Sequence, residues 1–128
     1  MSSAVCVAAL EKFSGYITAF NTQDLPSVSD CLDEDIQVYV DGELASQGKQ
    51  TILPAYERDF AVQKQVTVVK DPAAIERKSN QACSQGAVEI SVGLDNGSVT
   101  LDVLYTFRIP DLKQIRHDIT NIKTIQRK

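Results

Sequence analysis

Cysteine, histidine and basic charge are all scarce in this chain. Its 128 residues include three cysteines, Cys6, Cys31 and Cys83. An odd number with no CxxC spacing excludes a fully paired disulfide framework and the common redox and zinc motifs. Reduced thiols in a cytoplasmic protein are expected. The single histidine, His117, stands without an inward acid cluster and cannot supply the three or four ligands of a metal site, so no metal is expected. A formal net charge of -4 argues against nucleic acid, whose binding rests on neutralised phosphates. No stretch approaches the ~20 apolar residues of a membrane span. No basic stretch precedes the short apolar run at the start, which argues against a secretory signal. No glycine-rich phosphate loop, nucleophile elbow or Ser-His-Asp order is visible, and no cofactor is implied.

The length fits one domain over 1–128, able to bury roughly two thirds of its unfolded surface without covalent staples. Cys6, Leu10, Phe13, Ile17 and Phe20 recur at steps of four and three, which predicts an amphipathic helix over 4–20 with Tyr16 on its flank. Asp24 reads as the N-cap of a short second helix with Pro26 in its first turn. Ile36 to Val40 reads as a strand, Asp41-Gly42 as a turn and Glu43 to Ser46 as a return strand. A third helix is expected over 49–63, with Ile52, Tyr56 and Phe60 spaced by four and Pro54 near its first turn. From Val66 the chain is strand and turn, with 71–81 the least regular stretch. Ala87 to Leu94 alternates, Asn96-Gly97 is the strongest hairpin signal, and strands over 98–109 and 114–125 follow. Helices ahead of a meander imply an α+β fold with helices on one face of a curved antiparallel sheet.

Residues 99–120 carry most of the chemistry. Val99, Leu101, Val103, Tyr105, Phe107 and Ile109 share one apolar face, and after the Pro110-Asp111 turn Ile115, His117 and Ile119 continue it on the next strand. The Tyr105 hydroxyl and the His117 imidazole are then two polar tips in an apolar wall, as a small-molecule pocket requires. The same pattern also suits a core tyrosine and a satisfied core histidine. The helices carrying Phe13, Ile17, Tyr56 and Phe60 are the natural lid, and Val103 and Phe107 complete the wall. Adjacent strand residues point to opposite faces, so Asp118 could join His117 only through a bulge. The opposite parity, including Ser91, Leu104 and Thr106, forms a polar outer face suited to solvent or to an interface.

The segments AFNTQDLPSVSDCL, DEDIQVYVDG and GKQTILPAYERDF, with the paired strands ending YTFRI and IRHDIT, resemble the nuclear transport factor 2-like superfamily over nearly the whole chain. They are similar in particular to its polyketide-cyclase-like and ketosteroid-isomerase-like branches. The resemblance implies a cone-shaped sheet whose three helices, all in the N-terminal half, enclose a deep apolar pocket. It also implies a homodimer formed through the outer sheet face. Tyr105 falls where the isomerases carry an acid that donates to the substrate oxygen, and Tyr16 where they carry a donor tyrosine. Asp41 resembles their general base, although Asp41-Gly42 is equally a plain turn. His117-Asp118 looks like the His-acid pair of the cyclase-like members.

Two functions fit. One is a cofactor-independent isomerase, cyclase or dehydratase acting on an apolar carbonyl compound. Asp41 or His117 would move the proton, and Tyr105 with Tyr16 would hold the oxygen. The other is a non-catalytic dimeric domain that binds an apolar ligand or a protein partner.

Overall fold

The first helix, α1 (Ala4–Asn21), is capped by Ser3, whose hydroxyl accepts from the Cys6 amide at 3.1 Å. Its buried face is Cys6, Ala9, Phe13, Tyr16, Ala19 and Phe20. That face is turned from the expected stripe: Leu10 and Ile17 are only half-buried, and Tyr16 moves from the flank to the centre. Ala9 and Ala19 give the physical reason, because small side chains let that side of the helix approach the sheet most closely. The computed structural model describes residues 3–78 and 86–125, so the expectation for Cys83 lies outside the described residues.

Asp24 caps α2 (Leu25–Cys31) by accepting from the Ser27 amide at 3.2 Å, with Pro26 in the first turn. The chain then enters β1 (Leu32–Val40) directly and turns at Asp41-Gly42 into β2 (Glu43–Gln47). Both turn residues have positive φ, +51° and +84°, the combination a tight hairpin of this type demands. Gly48 leads into α3 (Lys49–Ala61), which ends two residues earlier than expected and carries Pro54 within its second turn. The remaining strands are β3 (Thr67–Arg77), β4 (Ala87–Asp95), β5 (Val99–Arg108) and β6 (Gln114–Thr124).

The six strands form one sheet in the order β2-β1-β6-β5-β4-β3. The expectation of a wholly antiparallel sheet needs one correction. β1 lies parallel to β6, while every other neighbouring pair is antiparallel. The β1–β2 hairpin and the meander β3 to β6 account for the antiparallel pairs. β6 reaches β1 only after a long excursion through β2, α3 and three further strands, which is the kind of connection a parallel pair requires.

Register fixes which residues share a face. Ile90 lies opposite Tyr105, Val92 opposite Val103, and Tyr105 opposite His117. Directly opposed residues point the same way, so these side chains stand on the inner face beneath α1 and α3. The core they form with Phe13, Tyr16, Phe20, Ile52 and Tyr56 is continuous. On the outer face Ser91 is exposed and Leu104 half-buried, but Thr106 is only 2% exposed within this single chain. It sits between Glu89 and Arg116, which form ion pairs with Arg77 and Asp118. Thr106 therefore cannot offer free surface to a partner as the outer-face reading expected.

β6 contains the irregularity that matters most. Thr106 pairs with Arg116, whereas the next residue, Phe107, pairs with Gln114. Ile115 is the extra residue of a β-bulge, and the alternation reverses across it. Gln114, not Ile115, shares the inner face with His117.

Candidate functional site

A cavity of about 300 Å³ opens between the inner face of the sheet and α3. Three turns of α3 line it with residues spaced by three and four: Thr51 and Ile52, Ala55 and Tyr56, Arg58 and Asp59. Across from them stand Leu101, Val103 and Tyr105 on β5 and His117 and Ile119 on β6. From Tyr105 to Leu101 the wall runs four residues along a strand, roughly 13 Å. Leu94, Val38 and Phe20 close the apolar sides. Charge is confined to Arg58, Asp59 and Lys64, of which Asp59 and Lys64 form an ion pair at 3.6 Å.

Four polar side chains meet among these apolar ones. The Tyr16 and Tyr56 hydroxyls lie 2.7 Å apart, one donating to the other. The Tyr105 ring stands edge-on to both neighbours, 5.7 Å from Tyr16 and 4.6 Å from His117 between centroids. Phe13 supports Tyr105 from the side at 5.0 Å. His117 Nε2 and Gln114 Oε1 are 2.7 Å apart, and both residues are buried.

Burial sets the protonation of the whole group. It raises the Tyr16 phenol well above its ordinary range, with the neighbouring Tyr56 and Tyr105 phenols adding to the effect. Burial also raises Tyr105. Tyr56 is pushed up to about 12, chiefly by burial and in spite of its hydrogen bond with Tyr16. All three phenols keep their protons at neutral pH and act as donors. Burial alone depresses His117 to about 3, so its imidazole is neutral. A neutral imidazole beside protonated phenols places a proton acceptor next to hydrogen-bond donors in a low-dielectric space.

The structure brings Tyr16, Tyr56, Val103, Tyr105 and His117 together around one cavity and leaves the other candidate residues elsewhere. Asp41 is exposed on the β1–β2 turn, where its amide donates to the Ile119 carbonyl at 2.9 Å. Its left-handed backbone serves the turn, and it does not line the cavity. Ile17 lies half-buried on the side of α1, rotated away with Leu10. Phe60 packs on Phe20 and Tyr56 behind the lining, at 5.2 and 6.2 Å. Phe107 is buried at the other end of β5, against a second cavity of about 190 Å³ that Gln114 and Cys31 also line. Asp118 faces outward and holds Arg116, so no His-acid pair enters the cavity. Among the described residues no three His, Cys, Asp or Glu side chains gather into a metal-ligand set.

Sequence reasoning missed Gln114, because only the bulge turns it inward. It also missed Arg58 and Asp59, although the helical spacing from Thr51 and Ala55 was available as a signal.

No family model matches the sequence, and neither does any curated protein. The likeness lies in the structure. An NTF2-like protein from Cytophaga hutchinsonii is 21% identical, with 95% of this chain and all of that chain covered at a TM-score of 0.65. A SnoaL-like protein of unknown function from Burkholderia thailandensis superposes at 0.67, with 11% identity over 94% of this chain and 98% of its own. This chain has the nuclear transport factor 2-like fold. A third neighbour in shape is SalBIII, an epoxide hydrolase/cyclase-like enzyme of pyran ring formation in polyether salinomycin. It is 11% identical over 92% of this chain and 96% of that chain, at a TM-score of 0.63. The NTF2-like fold is thus established here at identities that carry no reaction from one protein to another.

Proposed function

We propose that this protein binds a small apolar carbonyl compound and moves a proton at the carbon beside the carbonyl. The observation that carries this reading is the grouping of Tyr16, Tyr56, Tyr105 and His117 around one apolar cavity. The cavity volume lies at the lower end of small-molecule sites and suits one or two rings. The ligand oxygen would accept from the Tyr105 and Tyr16 phenols, with Tyr56 orienting Tyr16. The neutral His117 would take the proton from carbon, giving an enolate held by the phenols and an imidazolium beside it. The low basicity of His117 belongs to the cavity without an anion; an adjacent enolate stabilises the imidazolium and opposes the effect of burial. Return of the proton to another carbon completes an isomerisation and regenerates the neutral imidazole. Asp41 has no part in this scheme.

The depressed basicity of His117 is also the observation that favours the second reading, a binding domain without turnover, in which the imidazole only contributes a hydrogen bond. A direct test is deuterium uptake in D2O, followed by proton NMR, for cyclohexanone and 2-tetralone. Faster exchange at the carbon beside the carbonyl is expected with wild type. His117→Ala should lower it by about 10²–10⁴-fold, the usual worth of a general base. Exchange at the buffer rate while both ketones bind would leave the binding reading in its place. We further propose a homodimer through the outer sheet face, now centred on Ser91 and Leu104.

A further inference from the structure

We propose that Gln114 is the positioning residue for His117: its amide oxygen holds the imidazole Nε2–H and so leaves the Nδ1 lone pair for the cavity. This rests on, and deepens, the proton-transfer reading of the same site.

In an unbroken strand, regular alternation would place Ile115 beside His117 on the inner face and turn Gln114 outward. The bulge reverses this and brings an amide to the imidazole. Bulges are enriched where a strand must re-aim a side chain next to a site. Gln114 is fully buried, at 0% exposure, and its Oε1 is 2.7 Å from His117 Nε2. Its own Nε2 has no hydrogen-bond partner among the described residues. An amide buried with one half unsatisfied calls for an explanation, and its satisfied half points at the one histidine. A carbonyl oxygen can only accept, so the proton of a neutral imidazole must sit on the nitrogen facing it. The hydrogen bond of one ring nitrogen thereby fixes the role of the other.

The choice of amide over carboxylate fits as well. A carboxylate here would stabilise the imidazolium and hold the ring charged. The rings that face His117 are those of Tyr105 and Tyr16, while Asp118, next to it in sequence, faces outward and is bound to Arg116. The imidazole is therefore oriented without being charged, as an acceptor waiting for a proton must be.

The test is a long-range proton–nitrogen NMR correlation on the 15N-labelled full chain at pH 7, where the single histidine gives one imidazole pattern. Wild type should show the Nε2–H tautomer with its proton protected from solvent exchange. Gln114→Leu should mix the tautomers and speed that exchange by tenfold or more. Gln114→Glu should keep Nε2–H and raise the proton affinity of the imidazole by at least tenfold. If the leucine variant fails to fold, the glutamate variant decides alone. An Nδ1–H tautomer in wild type, or an imidazole whose proton affinity ignores Gln114→Glu, overturns the inference. None of these readouts needs turnover, so the loss of the enzymatic reading would be seen separately, in the deuterium-uptake assay. Where uptake is catalysed, Gln114→Leu should lower kcat and leave KM unchanged.

Discussion

Acid should weaken this fold through one side chain by an amount that can be worked out beforehand. His117 is 6% exposed, and burial takes its imidazole from the ordinary 6.5 down to about 3. In the unfolded chain the same group binds a proton at about pH 6.5. Below that pH the unfolded state binds a proton that the folded state refuses, so stability falls as pH falls. The contribution is fully present above pH 6.5, declines by about 1.4 kcal/mol per pH unit, and levels off as the folded-state value near 3 is reached. Between pH 7 and 4.5 the loss is about 2.5 kcal/mol, and its ceiling is about 5 kcal/mol. Set against the 5–15 kcal/mol of a typical domain, that is a large share. Carboxylates elsewhere also titrate in this range, so the comparison is with His117→Gln, which carries the same carboxylates. Urea unfolding of both proteins at pH 7, 6, 5 and 4.5 gives the difference in stability at each pH. The wild-type advantage should shrink by about 2.5 kcal/mol across the series. A constant difference would refute the burial of a neutral imidazole.

Tyr56→Phe removes the partner of the Tyr16 hydroxyl, and should cost about 1 kcal/mol of stability by thermal unfolding with the cavity kept open. Leu104→Asp on the outer face should turn a dimer into a monomer in sedimentation at micromolar concentration; a wild type that sediments only as monomer would remove the dimer. Gly93→Ala should destabilise the β3–β4 edge by about 1 kcal/mol in urea unfolding, because a Cβ there would lie 2.9 Å from the Lys70 side chain.

The sequence is most legible where one rule acts alone. Asp24 before Leu25-Pro26 announced a helix start, and Asn96-Gly97 announced a hairpin; both stand where expected because caps and tight turns are local chemistry. Alternation along 99–108 placed Tyr105 and Val103 on the inner face for the same reason. The site is less legible because it depends on how elements meet. Apolar size favoured Leu10 and Ile17 on α1, but the small Ala9 and Ala19 decided which side approached the sheet, and this carried Tyr16 inward. Alternation also assumes an unbroken strand, and one extra residue at Ile115 was enough to exchange Ile115 for Gln114. The parallel pairing of β1 with β6 has no local sign, since both strands read the same whichever way they run.

In the proposed function, the phenols of Tyr16 and Tyr105 receive a ligand oxygen in the cavity lined by α3 and β5. Fluorescence titration with 2-naphthol, a fused-ring compound with one oxygen, tests it most directly. Saturable binding to wild type is expected, with binding weakened about 3–10-fold in Tyr105→Phe and in Tyr16→Phe, the worth of one hydrogen bond in each case. Tyr105→Phe should unfold at nearly the wild-type urea concentration, whereas Tyr16→Phe, which leaves the Tyr56 hydroxyl without its partner, should lose about 1 kcal/mol. Equal affinity for wild type and both variants, or no binding to a folded wild type, would contradict it.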